Sequence, residues 1–157
     1  MDGGVILVTG GAVRIGREIC LNLAKDGFSV AVHYNSSSNE ANSLVEKITS
    51  NGGNAQSFSG DLSDVSMVRD LFSEIRDSMG DVTGIVNNAS LFSFDDMDSL
   101  SKQSWDSHMH VNALVPLLMI SELHRNMPSG CVGSVVNILD QKISQPNPDY
   151  LLSLIHI

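Results

Sequence analysis

Thr9-Gly10-Gly11-Ala12-Val13-Arg14-Ile15-Gly16 follows an apolar run and leads into a helical pattern. Residues of these types in this order suit a phosphate. Glycine lets the backbone approach closely, and the free N–H groups and dipole of a helix N-terminus attract the anion. A tight strand-to-helix turn uses the same glycines, so the motif alone leaves both readings open. Arg14 stands where a dinucleotide fingerprint carries another glycine. Its permanently charged fork suits a phosphate or a planar polar ligand, or else plain solvent. About 20 residues past such a turn an NAD reader wants a carboxylate for the ribose 2′-OH. This chain has His33-Tyr34-Asn35-Ser36-Ser37 there, and no acid until Glu40. A 2′-phosphate meets no repulsion at that place, and Asn35, the hydroxyls and Arg14 can receive it, which favours NADP(H) over NAD(H). The competing reading is that His33 and Tyr34 only close the sheet edge.

Short apolar runs alternate with longer amphipathic ones around these residues, the signature of β-α-β units. Residues 5–8 are apolar on both faces, as a central parallel strand should be. Ile15, Ile19, Cys20, Leu23 and Ala24 then recur at helical spacing up to Gly27. Residues 28–32 read as a second strand, and 35–39 as a loop able to cap a helix whose buried stripe is Ala41, Leu44, Val45 and Ile48. Residues 55–58 form a third strand, and Asp61 opens the turn to a helix lined by Val65, Val68, Leu71, Phe72 and Ile75. Residues 83–86 and 135–139 are strands four and five, separated by a long helix over 105–127, broken or bent near Pro116. The pattern predicts one doubly wound parallel α/β sheet with no linker or repeat.

Composition removes several classes of function. The 157 residues fit a single domain, and 18 Asp and Glu against 9 Lys and Arg give a net charge of −9. That acidity argues against nucleic-acid binding and gives no support for an anionic membrane surface. No apolar run approaches the roughly 18 residues needed to span a bilayer, and the N-terminus lacks the basic region of a secretory signal. Cys20 and Cys131 have neither CxxC nor metal spacing, so no disulfide framework or zinc site is expected, and a reducing cytoplasm is. His108, His110 and His124 lack metal partners. Asp95, Asp96 and Asp98 are expected to cap the following helix and remain solvated.

Taken together, residues 9–16, Asp61-Leu62 after strand three, Asn87-Asn88-Ala89-Ser90 after strand four, Asn112 in the long helix and Gly133-Ser134-Val135-Val136-Asn137-Ile138 resemble the short-chain dehydrogenase/reductase family. Arg14, His33-Tyr34, Ser90 in place of the usual Gly, and Asp140 in place of the usual catalytic Ser resemble its pteridine reductase branch, which includes dihydromonapterin reductases. The resemblance implies a Rossmann-type sheet, incomplete at about five of the family's seven strands. It implies that Gly10, Arg14, Ile15 and Gly16 hold the pyrophosphate end of NADP(H), and that His33, Tyr34, Asn35, Ser36 and Ser37 hold the 2′-phosphate. Asp61 and Leu62 would flank the adenine, with Asn88 and Ala89 beside the ribose and Ser90 also at the cofactor. Phe92 would stack a pterin, with Ser90 and Arg14 hydrogen-bonding it, and such stacking adds ~0.5–1.5 kcal/mol beyond burial. Asp140 would orient substrate or proton, and Asn112 would hold a relay water. A loop aromatic covering the core and a carboxylate capping a turn are the plainer readings of Phe92 and Asp140. Ser36 stands where pteridine reductases often place a basic residue.

The family works through a Tyr-x-x-x-Lys pair after strand five, the ammonium lowering a phenol pKa that is otherwise about 10. Counting from Asp140, these positions are Ser153 and Ile157, and neither Tyr34 nor Tyr150 has a Lys four residues on. Truncation explains this more simply than divergence. The tail 152–157 reads as the translation of a transposase adaptor used in sequencing libraries, so the expected native domain is 1–151 and the tail foreign. Strand five would then be an exposed edge, with poor solubility. The family forms homodimers or homotetramers through the long helix and the next one; the next is missing from this sequence, so no assembly is carried over. The intact parent is expected to be an NADPH-dependent reductase of a small-molecule pterin or dihydrofolate, and the 157-residue chain to be inactive. A carbonyl reductase of the 3-oxoacyl-carrier-protein type and a non-catalytic NADP-binding module are the alternatives.

Overall fold

The computed structural model describes residues 3–140, 150, 152 and 153. Five parallel strands stand in the order β3-β2-β1-β4-β5: β1 Gly3–Val8, β2 Phe28–Tyr34, β3 Asn54–Ser59, β4 Val82–Asn87 and β5 Ser134–Asn137. Helices α1 (Arg14–Lys25), α2 (Ser38–Ser50) and α3 (Ser66–Met79) follow the first three strands. Between β4 and β5 lie α4 (Lys102–Met109), a π-helical turn (His110–Leu114) and α5 (Val115–Asn126).

Side chains of successive strand residues point to opposite faces, so an apolar strand serves two cores at once. Leu7 and Ala31 join Phe58, Leu71, Ile75, Ile85 and Met119 under α3 and α5. Val8, Val30 and Val32 join Cys20, Leu44 and Ile48 under α1 and α2. The doubly wound sheet expected from the alternation is thus observed, with its carboxyl ends between β1 and β4 at the switch of strand order, where such sheets bind ligands.

The long helix expected to break or bend near Pro116 is interrupted there: a π-helical turn, with the Val115 N–H on the His110 carbonyl, separates α4 from α5, and Pro116 falls in the first turn of α5. Two local expectations need correction. The 35–39 loop does not cap α2 through a side chain; Ser37 takes the cap position without such a bond. The acidic loop does not cap α4 either. Ser101 does, in a reciprocal box with Ser104. At the edge of the sheet, all four residues of β5 are exposed, Val136 at 51%.

Candidate functional site

Thr9 ends β1 and gathers the turn around it. Its hydroxyl oxygen accepts the N–H groups of Asn88 and Ala89, both at 3.0 Å. Asn88 returns its side-chain amide to the carbonyls of Thr9 and Gly10, each at 3.0 Å. From the β2 side, the Gly10 N–H donates to His33 Nδ1 at 3.2 Å and the Gly11 N–H to the His33 carbonyl at 2.8 Å. His33 Nε2 donates to the Gly60 carbonyl at 3.1 Å, and the Gly60 N–H to the Tyr34 carbonyl at 2.9 Å. The loops after β1, β2, β3 and β4 are therefore one hydrogen-bonded unit.

Within that unit the glycines are sterically required. Gly10 sits at φ +61°, and a Cβ on Gly16 would lie 2.3 Å from the Gly10 carbonyl oxygen and 2.7 Å from Asn88 Nδ2. Arg14 holds φ +51°, so it takes the left-handed conformation of the glycine it replaces, at a cost of about 1–3 kcal/mol. Arg14 is the first residue of α1. No side chain caps α1, its first turn carries no acid, and its ladder begins with the Arg17 N–H on the Val13 carbonyl. Uncapped amides and an arginine in a first turn without acid fit a diphosphate.

At the end of β2, Asn35 and Ser36 are exposed, while Tyr34 and Ser37 are half-buried. Arg17 Nη1 donates to the Glu40 carbonyl at 3.3 Å, which brings a second guanidinium to this loop. The helical pattern of α1 hid that residue among ordinary surface charges. His33 departs from the expected phosphate contact. It is 2% exposed with both ring nitrogens engaged, and burial pushes its pKa below the ordinary value, opposed by the Gly60 carbonyl. Its place is under the turn.

Two further expectations shift in the same way. Asn88 spends its amide on the turn, and Leu62 is buried in the core, so only its backbone can flank a ring. Asp61 is exposed, and its carboxylate accepts the Ser63 N–H at 2.9 Å, which holds its pKa below the usual carboxylate range.

The loop after β4 carries the residues expected to meet a substrate. Asn112, 8% exposed in the π-helical turn, accepts the Leu91 N–H at 2.7 Å and donates to the Leu91 carbonyl at 2.9 Å. Its side chain thus anchors the loop. Ser90 is exposed and Phe92 is 58% exposed. The Phe92 ring lies parallel to Tyr150 with centroids 4.5 Å apart, and Phe94 meets Tyr150 edge-on at 5.5 Å. Asp140 is exposed just beyond β5, which is tied to β4 by Asn87 Nδ2 on Asn137 Oδ1 at 2.8 Å.

Asp95 corrects the solvated-cluster expectation. It is 2% exposed, its carboxylate accepts the Leu152 N–H at 3.1 Å, and its carbonyl accepts the Tyr150 N–H at 2.8 Å. His108 beneath it bonds Ser93 at 3.1 Å and the Ser104 carbonyl at 2.8 Å. Ser153, at the counted position of the family's Tyr, is buried with an unpartnered hydroxyl. Lys142 and Ile157 lie outside the described residues. Among the described residues no group of His, Cys, Asp and Glu could hold a metal, and no helix is long and apolar enough to cross a membrane.

Residues 4–150 match the family model for short chain dehydrogenase. The chain belongs to that family. It is similar to FolM alternative dihydrofolate reductase 1 from Brucella canis, solved in complex with NADP: 36% identical, TM-score 0.92, covering 99% of this chain and 62% of that one. An uncharacterized oxidoreductase of Methylorubrum extorquens is 33% identical over 88% of this chain and 55% of its own length. The 3-oxoacyl-[acyl-carrier-protein] reductase FabG of Staphylococcus epidermidis is 28% identical over 90% and 58%. This short-chain dehydrogenase chain therefore spans a little over half the length of these relatives.

Proposed function

We propose that the chain is the dinucleotide-binding part of an NADPH-dependent reductase acting on a flat heterocycle of the pterin or dihydrofolate class. The observation that carries this reading is the α1 N-terminus: uncapped, free of acid in its first turn, and opened by an arginine in a glycine's conformation. Bound there, NADPH supplies the hydride.

The chain's own residues bind and orient. The amides of Arg14, Ile15 and Gly16 and the Arg14 guanidinium take the pyrophosphate. Asn35, Ser36 and Ser37 take the 2′-phosphate, joined by Arg17, while His33 and Tyr34 support the turn beneath. Asp61 and the Leu62 backbone flank the adenine, and Ala89 and Ser90 border the ribose and nicotinamide. Phe92 offers its ring to a planar substrate, which has to take the place of Tyr150 or stack in series with it, and Ser90 and Arg14 supply its polar contacts. Asp140 orients the substrate or its proton. Asn112, whose side chain anchors Leu91, holds the relay water. The similarity to the Brucella FolM structure, itself complexed with NADP, supports both cofactor and substrate class.

The relation to the Staphylococcus reductase favours a second reading, a 3-oxoacyl thioester reductase. Turnover assays on a longer form carrying a Tyr-x-x-x-Lys pair separate the two. Dihydrofolate or dihydromonapterin consumed faster than a 3-ketoacyl thioester supports the first, and the reverse preference overturns it. The 157-residue chain is expected to bind without turnover.

A further inference from the structure

His33 is a titratable side chain buried at the site. It is 2% exposed, and both its ring nitrogens are in use, Nδ1 by the Gly10 N–H at 3.2 Å and Nε2 by the Gly60 carbonyl at 3.1 Å. One protonation state satisfies both bonds: a neutral ring with its hydrogen on Nε2, since Nδ1 has to offer the Gly10 amide a lone pair. A protonated ring carries donors at both nitrogens and sets one N–H against another. Gly10 is the first residue of the turn; its carbonyl accepts the Asn88 amide and lies against Gly16, while its α-carbon faces Ala89. Displacing the Gly10 amide therefore displaces the start of α1. We infer that His33 is a positioning residue for the dinucleotide: its neutral ring fixes Gly10 so that the α1 amides face a diphosphate, and protonation of the ring releases the turn and weakens binding. This rests on the dinucleotide reading above.

The surroundings give the protonated ring no counter-ion. From the β1–α1 side come Arg14, Arg17 and Glu18, with Arg17 bound to the Glu40 carbonyl. In the β3–α3 turn, Asp61 and Asp64 direct their carboxylates to the Ser63 and Ser66 amides. Met67 of α3, uncharged, packs at Gly60, and Tyr34 and Glu40 follow along β2 and α2. Among the described residues none of these side chains forms a hydrogen bond or ion pair with the ring. Burial keeps the ring's pKa below its ordinary 6.5, so the neutral form is resident at neutral pH.

The test is calorimetric titration of the whole chain with NADP+ at pH 8.0 and pH 5.0, for the wild type and His33→Asn. The Asn amide oxygen falls where Nδ1 lies and accepts the Gly10 N–H without titrating. The wild type is expected to lose at least about fivefold more affinity than His33→Asn between the two pH values, the shared loss being the ligand's own 2′-phosphate titration near pH 6. Equal losses overturn the inference. Should His33→Asn fail to fold by far-UV circular dichroism, NAD+, which has no 2′-phosphate, decides on the wild type alone. Its affinity is expected to fall about fivefold from pH 8.0 to 5.0, and a flat profile overturns the inference. Strong binding at pH 8.0 with no pH dependence sinks only the role of His33. No binding at pH 8.0 by a folded wild type, judged by Trp105 fluorescence, sinks the dinucleotide reading and this inference with it.

Discussion

Arg14 works against its own backbone. A side chain at φ +51° costs stability that glycine at the same position would not, so Arg14→Gly is expected to stabilise the fold by about 1 kcal/mol in urea unfolding. The same change removes a guanidinium from the α1 N-terminus and should weaken NADP+ binding about tenfold, roughly 1.4 kcal/mol. Stability and affinity moving in opposite directions is what a strained binding residue predicts; loss of both would mean that Arg14 is an ordinary packing residue.

His33 adds a pH signature to folding. The unfolded chain takes up its proton at the ordinary 6.5, and the folded ring resists it to lower pH. Its contribution is therefore complete above 6.5 and declines as pH falls below that value, by at most about 1.4 kcal/mol per pH unit. Urea midpoints of the wild type and His33→Asn between pH 7.5 and 5.5 should converge as the medium becomes acid.

At the scale of elements, the parallel strands and their helices are legible because each is a long periodic segment whose apolar residues can be buried in only one way. The misreadings fall where side chains bond to distant backbone. Nothing in the sequence around Asn112 announces a π-helical turn, or that its side chain bonds both backbone groups of Leu91, 21 residues away. Asp95 reads as one of three solvated acids until Leu152 and Tyr150 are brought over it. His33 reads as a phosphate ligand because its place in the sequence is that of one, and only the fold turns its ring toward Gly10 and Gly60. Asn112→Ala leaves the Leu91 N–H and carbonyl unpaired at a half-buried site. It should cost about 2–3 kcal/mol in urea unfolding. A cost below about 0.5 kcal/mol would mean that solvent replaces both bonds.

For the whole molecule, the two free thiols report on the integrity of the sheet. Cys20 lies fully buried against the β1–α1 turn, where burial pushes its pKa up to about 12, whereas Cys131 is exposed near β5. An alkylating reagent at pH 8 should modify one thiol in the native chain and two after denaturation, read by mass spectrometry. Rapid modification of both would mean that the exposed β5 edge does not leave a stable core behind it.

On the proposed reading, the switch point between β1 and β4 presents open amides and arginine to a diphosphate, beside a ribose pocket without acid. Calorimetric titration of the folded chain with NADP+ and NAD+ at pH 8 tests it most directly. Saturable binding of NADP+ is expected, tighter than NAD+ by about tenfold, or roughly 1.4 kcal/mol. A folded chain that binds neither dinucleotide, or binds NAD+ the more tightly, would contradict it.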